Sequence, residues 1–257
     1  MKEQYVGDIG DFGKVLLLKH LAGLGFRIGV NWVLTDDDNR ADGKHRDYID
    51  YRGNDCLCCC DEKVFEQMLP LAKKKKNDRN IEDLEGLIRR FSESVAFYSA
   101  KYVSGRSRAN CEIRAFAHLC PAVADLVFFD PDNGVNGDEG TSSKHVYLSD
   151  LKRYWKRKQS LQTYHHLSRD GTHEEQVCEI ESAFRKAFPD GRVYPYHLRR
   201  GTARVYILCL REEHLPKVQG KDLISAIQPL QMTKGKWARL GNYCSKTHSV
   251  GPGAQPA

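Results

Sequence analysis

The chain has 257 residues, of which 40% are hydrophobic and 29% are charged, and it carries a formal net charge of +6 at pH 7. This length and composition indicate a globular protein of one large domain or two small ones, with enough apolar residues for a substantial core. No apolar run approaches the about 20 residues that a membrane-spanning helix needs, so we expect no membrane partner. The mild positive charge permits a nucleic-acid partner without requiring one.

The chain contains nine cysteines, and its first residues lead into glycines and aspartates, without an apolar signal region. An odd number of cysteines in a chain of this length favours reduced thiols, so we expect a cytoplasmic protein. Four of the cysteines lie between Cys56 and Cys60. Their spacing differs from the paired Cys-x-x-Cys of zinc sites, and we favour a surface loop over a structural metal there.

The first candidate site is the segment Gly7-Asp8-Ile9-Gly10-Asp11-Phe12-Gly13-Lys14, which an apolar run follows. The run predicts a helix with Asp11 as its N-cap and with Gly23 or Gly25 at its end. Glycines spaced by three let a backbone approach a ligand at a helix N-terminus. A capped helix after a flexible turn explains the same residues equally well.

A strand is predicted over Phe26 to Leu34, and Thr35-Asp36-Asp37-Asp38 follows it. Asp36 is the aspartate nearest to the end of this strand, and we therefore select it as a site candidate. Residues 36–80 are predicted to be a polar insertion. The next predicted elements are helices at 64–71 and 81–91, a strand at 95–98 and a helix at 113–119.

The central motif is a buried strand, Leu126 to Phe129, that runs into Asp130-Pro131-Asp132-Asn133-Gly134. Four apolar residues rich in β-branched and aromatic types are typical of a strand that is buried on both faces. Ligands of open α/β sheets bind just past the carboxyl ends of such strands. An ordinary turn is the alternative, because Asp, Pro, Asn and Gly are the commonest turn residues.

The later part of the chain supplies further candidates. A helix is predicted at 146–155, a strand at 160–166 that ends in His165 and His166, and a helix at 174–188 capped by Thr172. Adjacent histidines of a strand point to opposite faces, so at most one of the two serves a given site. Strands at 192–198 and 203–210 form an antiparallel hairpin. Residues 1–240 are therefore predicted to form one α/β domain, and residues 241–257 a disordered tail.

This order of elements predicts a Rossmann-like, doubly wound and mostly parallel sheet closed by an antiparallel C-terminal hairpin. Class I S-adenosylmethionine-dependent methyltransferases close their sheet in this way, and the chain resembles them. Asp130-Pro131 is similar to the Asp/Asn-Pro-Pro-Tyr/Phe motif of the amino-methyltransferases. Gly7, Asp11 and Lys14 match the Gly-Asn-His-Ala-Asp-x-x-Lys segment of bacterial large-subunit rRNA adenine methyltransferases.

The resemblance implies S-adenosylmethionine as cofactor and nucleic acid as substrate. It implies cofactor contacts at Gly7, Asp11 and Lys14 and a catalytic site at Asp130 and Pro131. We add Asp8 and Asp36 as candidates for the cofactor site, and Asp132 and Asn133 as candidates for the catalytic site. Asp132 and Asn133 stand where the family has a second proline and an aromatic residue that stacks on a flipped base. The chain is also similar to uncharacterised bacterial and phage proteins with an Asp-Pro-Asp-Asn-Gly motif, and this similarity implies no activity.

Basic residues around the hairpin and in the tail are candidate phosphate contacts under the methyltransferase interpretation. They are Arg199, Arg200, Arg204, Lys234, Lys236 and Arg239. A solvated edge is the alternative interpretation of these charges.

Two other functions remain open. The first is a Mg²⁺-dependent nuclease or phosphoesterase, in which Asp8, Asp11, Asp130 and Asp132 hold the metal. Further candidates, among them groups that could stabilise developing charge, are Lys144, His165, His166 and Arg169. No Glu-x-Lys follows the Pro-Asp pair, as a restriction-endonuclease-like fold would require. The second is a non-catalytic module whose acidic pocket binds a ligand.

Overall fold

The computed structural model describes residues 1–38, 45–50, 57–198, 203–218 and 238–240. Six α-helices lie in these ranges: α1 (Ile9–Gly23), α2 (Glu62–Lys73), α3 (Ile81–Phe91), α4 (Arg108–His118), α5 (Leu148–Lys156) and α6 (His173–Ala187). The strands are β1 (Ile28–Asn31), β2 (Val95–Tyr98), β3 (Leu126–Phe129), β4 (Gly134–Val135), β5 (His145–Val146), β6 (Ser160–His166), β7 (Arg192–Leu198), β8 (Arg204–Leu210) and β9 (Ala238–Leu240). Within the described ranges, no helix is long and apolar enough to cross a membrane.

The main sheet has the strand order β2-β1-β3-β6-β8-β7-β9, and β4 pairs with β5 in a small separate sheet. The neighbours β2, β1, β3 and β6 run parallel to one another. The predicted α/β class with a mostly parallel sheet is therefore confirmed. The chain passes from β1 to β2 on one side and then to β3 on the other. The crevice between the carboxyl ends of β1 and β3 is thus the topological switch point, where α/β sheets bind ligands.

The two strands of the predicted hairpin are antiparallel neighbours. Arg192 of β7 pairs with Leu210 of β8, and Leu198 pairs with Arg204. It is β8, the second of the two in sequence, that pairs with β6, also antiparallel. Strand β9 pairs with β7 on its other side, so β7 is not the edge strand of the described sheet. The connecting residues 199–202 lie outside the described residues.

Each face of the main sheet is covered by a separate group of helices. Val30 and Phe128 lie in one cluster with apolar residues of α1, α2 and α3. Val127 and Phe129 lie in a second cluster with apolar residues of α5 and α6. Successive strand residues point to opposite faces, so a strand covered on both sides has to be apolar at every position. This explains the continuous apolar run of β3.

Helix α1 begins earlier than the sequence predicts. Asp8, not Asp11, is its N-cap, because Asp8 Oδ1 accepts a hydrogen bond from the backbone N–H of Asp11 at 3.0 Å. Asp11 lies inside the first turn. The predicted cap of α6 is confirmed, since Thr172 and Glu175 form a reciprocal capping box there.

The boundaries of two other predicted helices also shift. Helix α4 begins at Arg108, several residues before the predicted start. Helix α5 begins at Leu148, because His145 and Val146 are taken up by the pairing of β5 with β4. Local apolar periodicity finds the centre of a helix more reliably than its ends.

The stretch predicted as a polar insertion contributes to the core where it is described. Tyr48, Leu57, Val64 and Met68 are fully buried in the cluster that contains α1. Residues 39–44 and 51–56 lie outside the described residues, as does the predicted disordered tail. The domain limits of 1–240 remain a prediction.

Gly7 connects the first residues of the chain to α1 with a φ of +87°. A Cβ atom at this position would lie 2.6 Å from the backbone oxygen of Leu71 in α2. We predict that Gly7→Ala lowers the free energy of unfolding by about 2 kcal/mol or more, through strain and this clash. Gly86→Ala is the control, because Gly86 is helical and a Cβ there meets nothing within 4 Å.

The control variant is expected to raise the free energy of unfolding by about 0.5–1 kcal/mol, as Ala does in an open helical position. Urea denaturation of both variants measures the difference. Equal stability of Gly7→Ala and the wild-type protein would contradict the close approach of Gly7 to α2.

Candidate functional site

The candidate site is built on a buried ion pair that joins α1 to the loop after β3. Lys14 Nζ donates to Asp130 Oδ2 at 2.7 Å and to Asp11 Oδ1 at 3.0 Å. The exposed fractions of these side chains are 7% for Lys14, 2% for Asp130 and 0% for Asp11. Gly7 N–H donates to the second oxygen of Asp11 at 2.9 Å. The structure thus brings four of the predicted site residues together at the switch point.

The charges of this cluster stabilise one another. Burial raises the pKa of Asp11 in spite of the neighbouring ammonium. Burial opposes the positive charge of Lys14, but Asp11 and Asp130 together raise its pKa well above the ordinary value. A buried charge is tolerated only when it is paired and hydrogen-bonded. Removal of one of the three charged side chains therefore leaves the other charges buried without a full set of partners.

A second buried cation, Arg204 at the start of β8, lies against the first turn of α1. A Cβ atom at Gly10 would lie 1.6 Å from Arg204 Nη1, so the residue at position 10 has to be glycine for this approach. Burial opposes the charge of Arg204, and Asp8 raises its pKa. Arg204 is buried, because the alternation of β8 turns this side chain towards α1. The alternative of a solvated edge is therefore wrong for this residue, and its contact with phosphates stays a prediction. Arg199, Arg200, Lys234, Lys236 and the side chain of Arg239 lie outside what the structure describes.

The first residues of the chain fill the crevice between the ends of β1 and β3. The Met1 amino group donates to the carbonyl oxygens of Asp130 at 2.9 Å and Val33 at 3.3 Å. Lys2 Nζ lies 2.7 Å from Asp38 Oδ2 and 3.2 Å from Asp132 Oδ2. Lys2 therefore joins the loop that follows β1 to the loop that follows β3.

Asp36, Asp132 and Asn133 of the predicted catalytic and cofactor sites lie nearer to the surface. The side chain of Asp132 is 10% exposed and that of Asp36 is 82% exposed. Asp36 Oδ1 accepts from Lys101 Nζ at 3.0 Å in an exposed ion pair. Pro131 is buried, whereas Asn133 is exposed and bonds through its backbone N–H to the Lys144 carbonyl at 2.9 Å.

The adjacent histidines of β6 point to opposite faces, as predicted. His165 Nδ1 accepts from the backbone N–H of Val135 at 3.1 Å and so holds the loop that follows Asp130. Burial lowers the pKa of His165 to about 4, so the ring is neutral at pH 7, with its proton on Nε2. His166 is exposed, its Nδ1 lies 3.4 Å from the hydroxyl of Tyr164, and Arg169 is exposed in the loop beyond it.

A polar network beneath the crevice was not predicted. Asn31 Oδ1 accepts from Val33 N–H at 3.1 Å, and Asn31 Nδ2 donates to the Tyr102 hydroxyl at 2.8 Å. That hydroxyl donates to Glu112 Oε2 at 2.8 Å. The φ of Val33 is +44°, which is rare for a β-branched residue and typical of a functional site or a turn under strain. The signal in the sequence was Asn31, an amide inside an otherwise apolar strand.

Among the described residues, no group of three or more His, Cys, Asp and Glu side chains is placed to hold an ion. Two of the four carboxylates predicted as ligands, Asp11 and Asp130, share the Lys14 ammonium. Cys56 lies outside the described residues, so the predicted cysteine loop is described only in part.

In comparisons with known proteins, no protein-family model, curated protein or solved structure matches the chain.

We predict that Lys14→Met lowers the free energy of unfolding by about 3–5 kcal/mol, because two carboxylates lose their buried partner. Lys101→Met is the control, since it removes an exposed lysine from an ion pair and changes stability by no more than about 0.5 kcal/mol. The double variant Lys14→Met/Asp130→Asn is expected to be more stable than the single variant, because it removes one of the two stranded charges. Denaturant unfolding of all three variants measures these differences, and equal losses from Lys14→Met and Lys101→Met would contradict a buried ion pair.

We also predict a pH effect from Glu112, whose pKa burial raises to about 7, with a further contribution from Asp150. The ordinary value of 4.5 applies to the unfolded chain. The folded state therefore binds the proton more tightly, and its stability falls as the pH rises from 4.5 to 7. In Glu112→Gln, the free energy of unfolding is expected to fall less between pH 4.5 and 7 than it does in wild type. Glu139 is exposed, so Glu139→Gln is expected to show the same fall as wild type. An unchanged slope in Glu112→Gln would contradict the raised pKa.

Proposed function

We propose that the protein is methyltransferase-like, with S-adenosylmethionine as methyl donor and nucleic acid as the substrate. The observation that carries the proposal is the Lys14–Asp130 contact of 2.7 Å. Each of the two short segments that resemble methyltransferases contributes one of these residues, and 116 positions separate the two. Their meeting at the switch point of the sheet is what a shared ligand site requires.

The strand arrangement supports a Rossmann-like fold of the methyltransferase type. The loop that carries Asp130 follows β3, which lies directly beside β1. The reversed strand β8 lies between β6 and β7. The resemblance implies such an antiparallel pair at the end of an otherwise parallel sheet.

The charges at the crevice favour a cationic ligand. The methyl donor carries a positive sulfonium, and it supplies an electrophilic methyl group to an acceptor amine. Asp36, Asp37 and Asp38 follow β1, and Asp132 follows β3, so carboxylates border the crevice on both sides. This arrangement suits a cation better than it suits a bare phosphate.

The structure changes the roles that we assign within the motif. Asp130 is buried on Lys14, so it acts as a positioning residue that fixes the loop rather than as a contact to the acceptor. Asp132 and Asn133 lie closer to the surface and are the groups that we assign to the acceptor amine. Methyl transfer needs no metal, and catalysis of this kind depends mainly on alignment of the two reactants.

The metal-dependent nuclease remains the second candidate. Its support is the convergence of Asp11 and Asp130 on one cationic group. That group is the Lys14 ammonium, which a divalent ion would have to displace. A non-catalytic binding module would use the same crevice, and cofactor dependence distinguishes the three.

Calorimetric titration with S-adenosylmethionine tests the proposal. We predict saturable binding that Asp36→Ala weakens about fivefold, as expected for the loss of one partly screened charge contact. Asp138→Ala is the matched control, because Asp138 is 74% exposed and pairs with Lys152 at 3.2 Å, much as Asp36 pairs with Lys101.

A methyl-transfer assay and a titration with Mg²⁺ complete the test. Transfer of a labelled methyl group to RNA or DNA would establish the activity once the donor binds. Absence of donor binding, together with Mg²⁺ binding that Asp132→Asn abolishes, would contradict the methyltransferase proposal and support the nuclease.

A further inference from the structure

We propose that residues 1–5 form a strap that closes the crevice between the ends of β1 and β3, and that this strap has to leave before a ligand binds there. The identity of the ligand rests on the proposed function, whereas the strap itself rests on the contacts described below.

Met1 is the part of the strap that lies deepest in the crevice, with an exposed fraction of 3%. Its carbonyl oxygen accepts from the backbone N–H of Thr35 at 2.9 Å and from the Thr35 hydroxyl at 3.3 Å. Its thioether Sδ lies 3.5 Å from Lys14 Nζ. The Met1 side chain therefore occupies the space beside the buried ion pair, at the switch point itself.

Polar contacts to the two acidic loops hold the middle of the strap. Lys2 Nζ bridges Asp38 and Asp132. Gln4 bonds through its backbone N–H to Asp37 Oδ1 at 3.0 Å and through Nε2 to Asp38 Oδ1 at 2.9 Å. The strap thus covers the loop carboxylates that we assign to a cationic ligand.

Helix α3 and the turn before it hold the other side of the strap. Arg79 donates to the Gln4 carbonyl, and Ile81 N–H lies 3.3 Å from Glu3 Oε1. Lys2 and Gln4 are buried in these contacts, with exposed fractions of 2% and 0%. The contacts to the acidic loops are hydrogen bonds and ion pairs to carboxylates, which a cationic ligand that enters the crevice can take over.

The chain beyond the strap is fixed by contacts of its own. Gly7 N–H bonds to Asp11, and the Gly7 carbonyl accepts from the Tyr48 hydroxyl at 3.2 Å. Helix α1 has its N-cap at Asp8, outside the strap. Asp8 N–H also donates to the Tyr5 carbonyl at 3.0 Å, and this hydrogen bond has to break when the strap leaves. Residues 1–5 can then leave the crevice by rotation of the backbone before Gly7, while α1 and its buried ion pair stay in place.

Strap and ligand then compete for one set of carboxylates. The apparent dissociation constant of the ligand equals the intrinsic value divided by the fraction of molecules in which the strap is open. A change that weakens the strap without touching the buried cluster should raise that fraction and tighten binding.

Hydrogen exchange of the ligand-free protein is the first test. Lys2→Met keeps the length of the side chain and removes the bridge, and Asp38→Asn weakens the same bridge from the other side. We expect faster exchange of backbone amides in residues 2–5 and 33–38 in both variants, with unchanged exchange in α1. Lys152→Met, which removes an exposed lysine from an ion pair on α5, is the control. If the backbone amides of residues 2–5 and 33–38 exchange as slowly in Lys2→Met as in Lys152→Met, the strap proposal is wrong.

Titration with S-adenosylmethionine is the second test. We expect Lys2→Met to bind the donor about tenfold more tightly than wild type, because the closed state is less populated. If the amides of Lys2→Met exchange faster but no variant binds the donor, the strap proposal holds and the proposed function is wrong. If Lys2→Met and wild type bind the donor with equal affinity, and the amides of residues 2–5 are still protected in the complex, the strap proposal is wrong. The proposed function would then still hold.

Discussion

The Lys14 ammonium between Asp11 and Asp130 is the interaction on which the rest of the site depends. It ties α1, which covers one face of the sheet, to the end of β3 in the middle of the sheet. Because the pair is buried, its geometry is strict, and an unpaired member is strongly unfavourable. Gly7 is tied to the same cluster, since its N–H donates to Asp11.

The crevice above this ion pair has a distinct electrostatic character. Carboxylates from the loops after β1 and β3 border it. Lys2 and the buried Lys14, from the N-terminal part of the chain, pair with Asp38, Asp132 and Asp130, whereas Asp36 pairs with Lys101. A protein that presents acidic loops and covers them with its own lysine is suited to exchange that lysine for a cationic ligand. The network beneath the crevice holds Val33 in a left-handed conformation and so shapes the floor of the same site.

Local patterns predicted the elements better than they predicted the site. Helix α3 and strand β6 match their predictions because apolar periodicity and flanking turns are properties of adjacent residues. The cap of α1 was assigned to Asp11 and not to Asp8 because both are good caps, and tertiary contacts decide between them. The burial of Arg204 could not be predicted for a related reason, since nothing in the sequence near it shows that α1 covers that face. The pairing of Lys14 with Asp130 spans 116 positions, so a single sequence offers no direct sign of it.

A crystal structure of the protein grown with S-adenosylhomocysteine, the demethylated product of the donor, tests the central claim most directly. The account predicts that this ligand lies between the carboxyl ends of β1 and β3, that residues 1–5 have left that crevice, and that the Lys14–Asp130 pair is intact beneath it. A ligand bound elsewhere on the molecule, with residues 1–5 still in the crevice, would contradict the account.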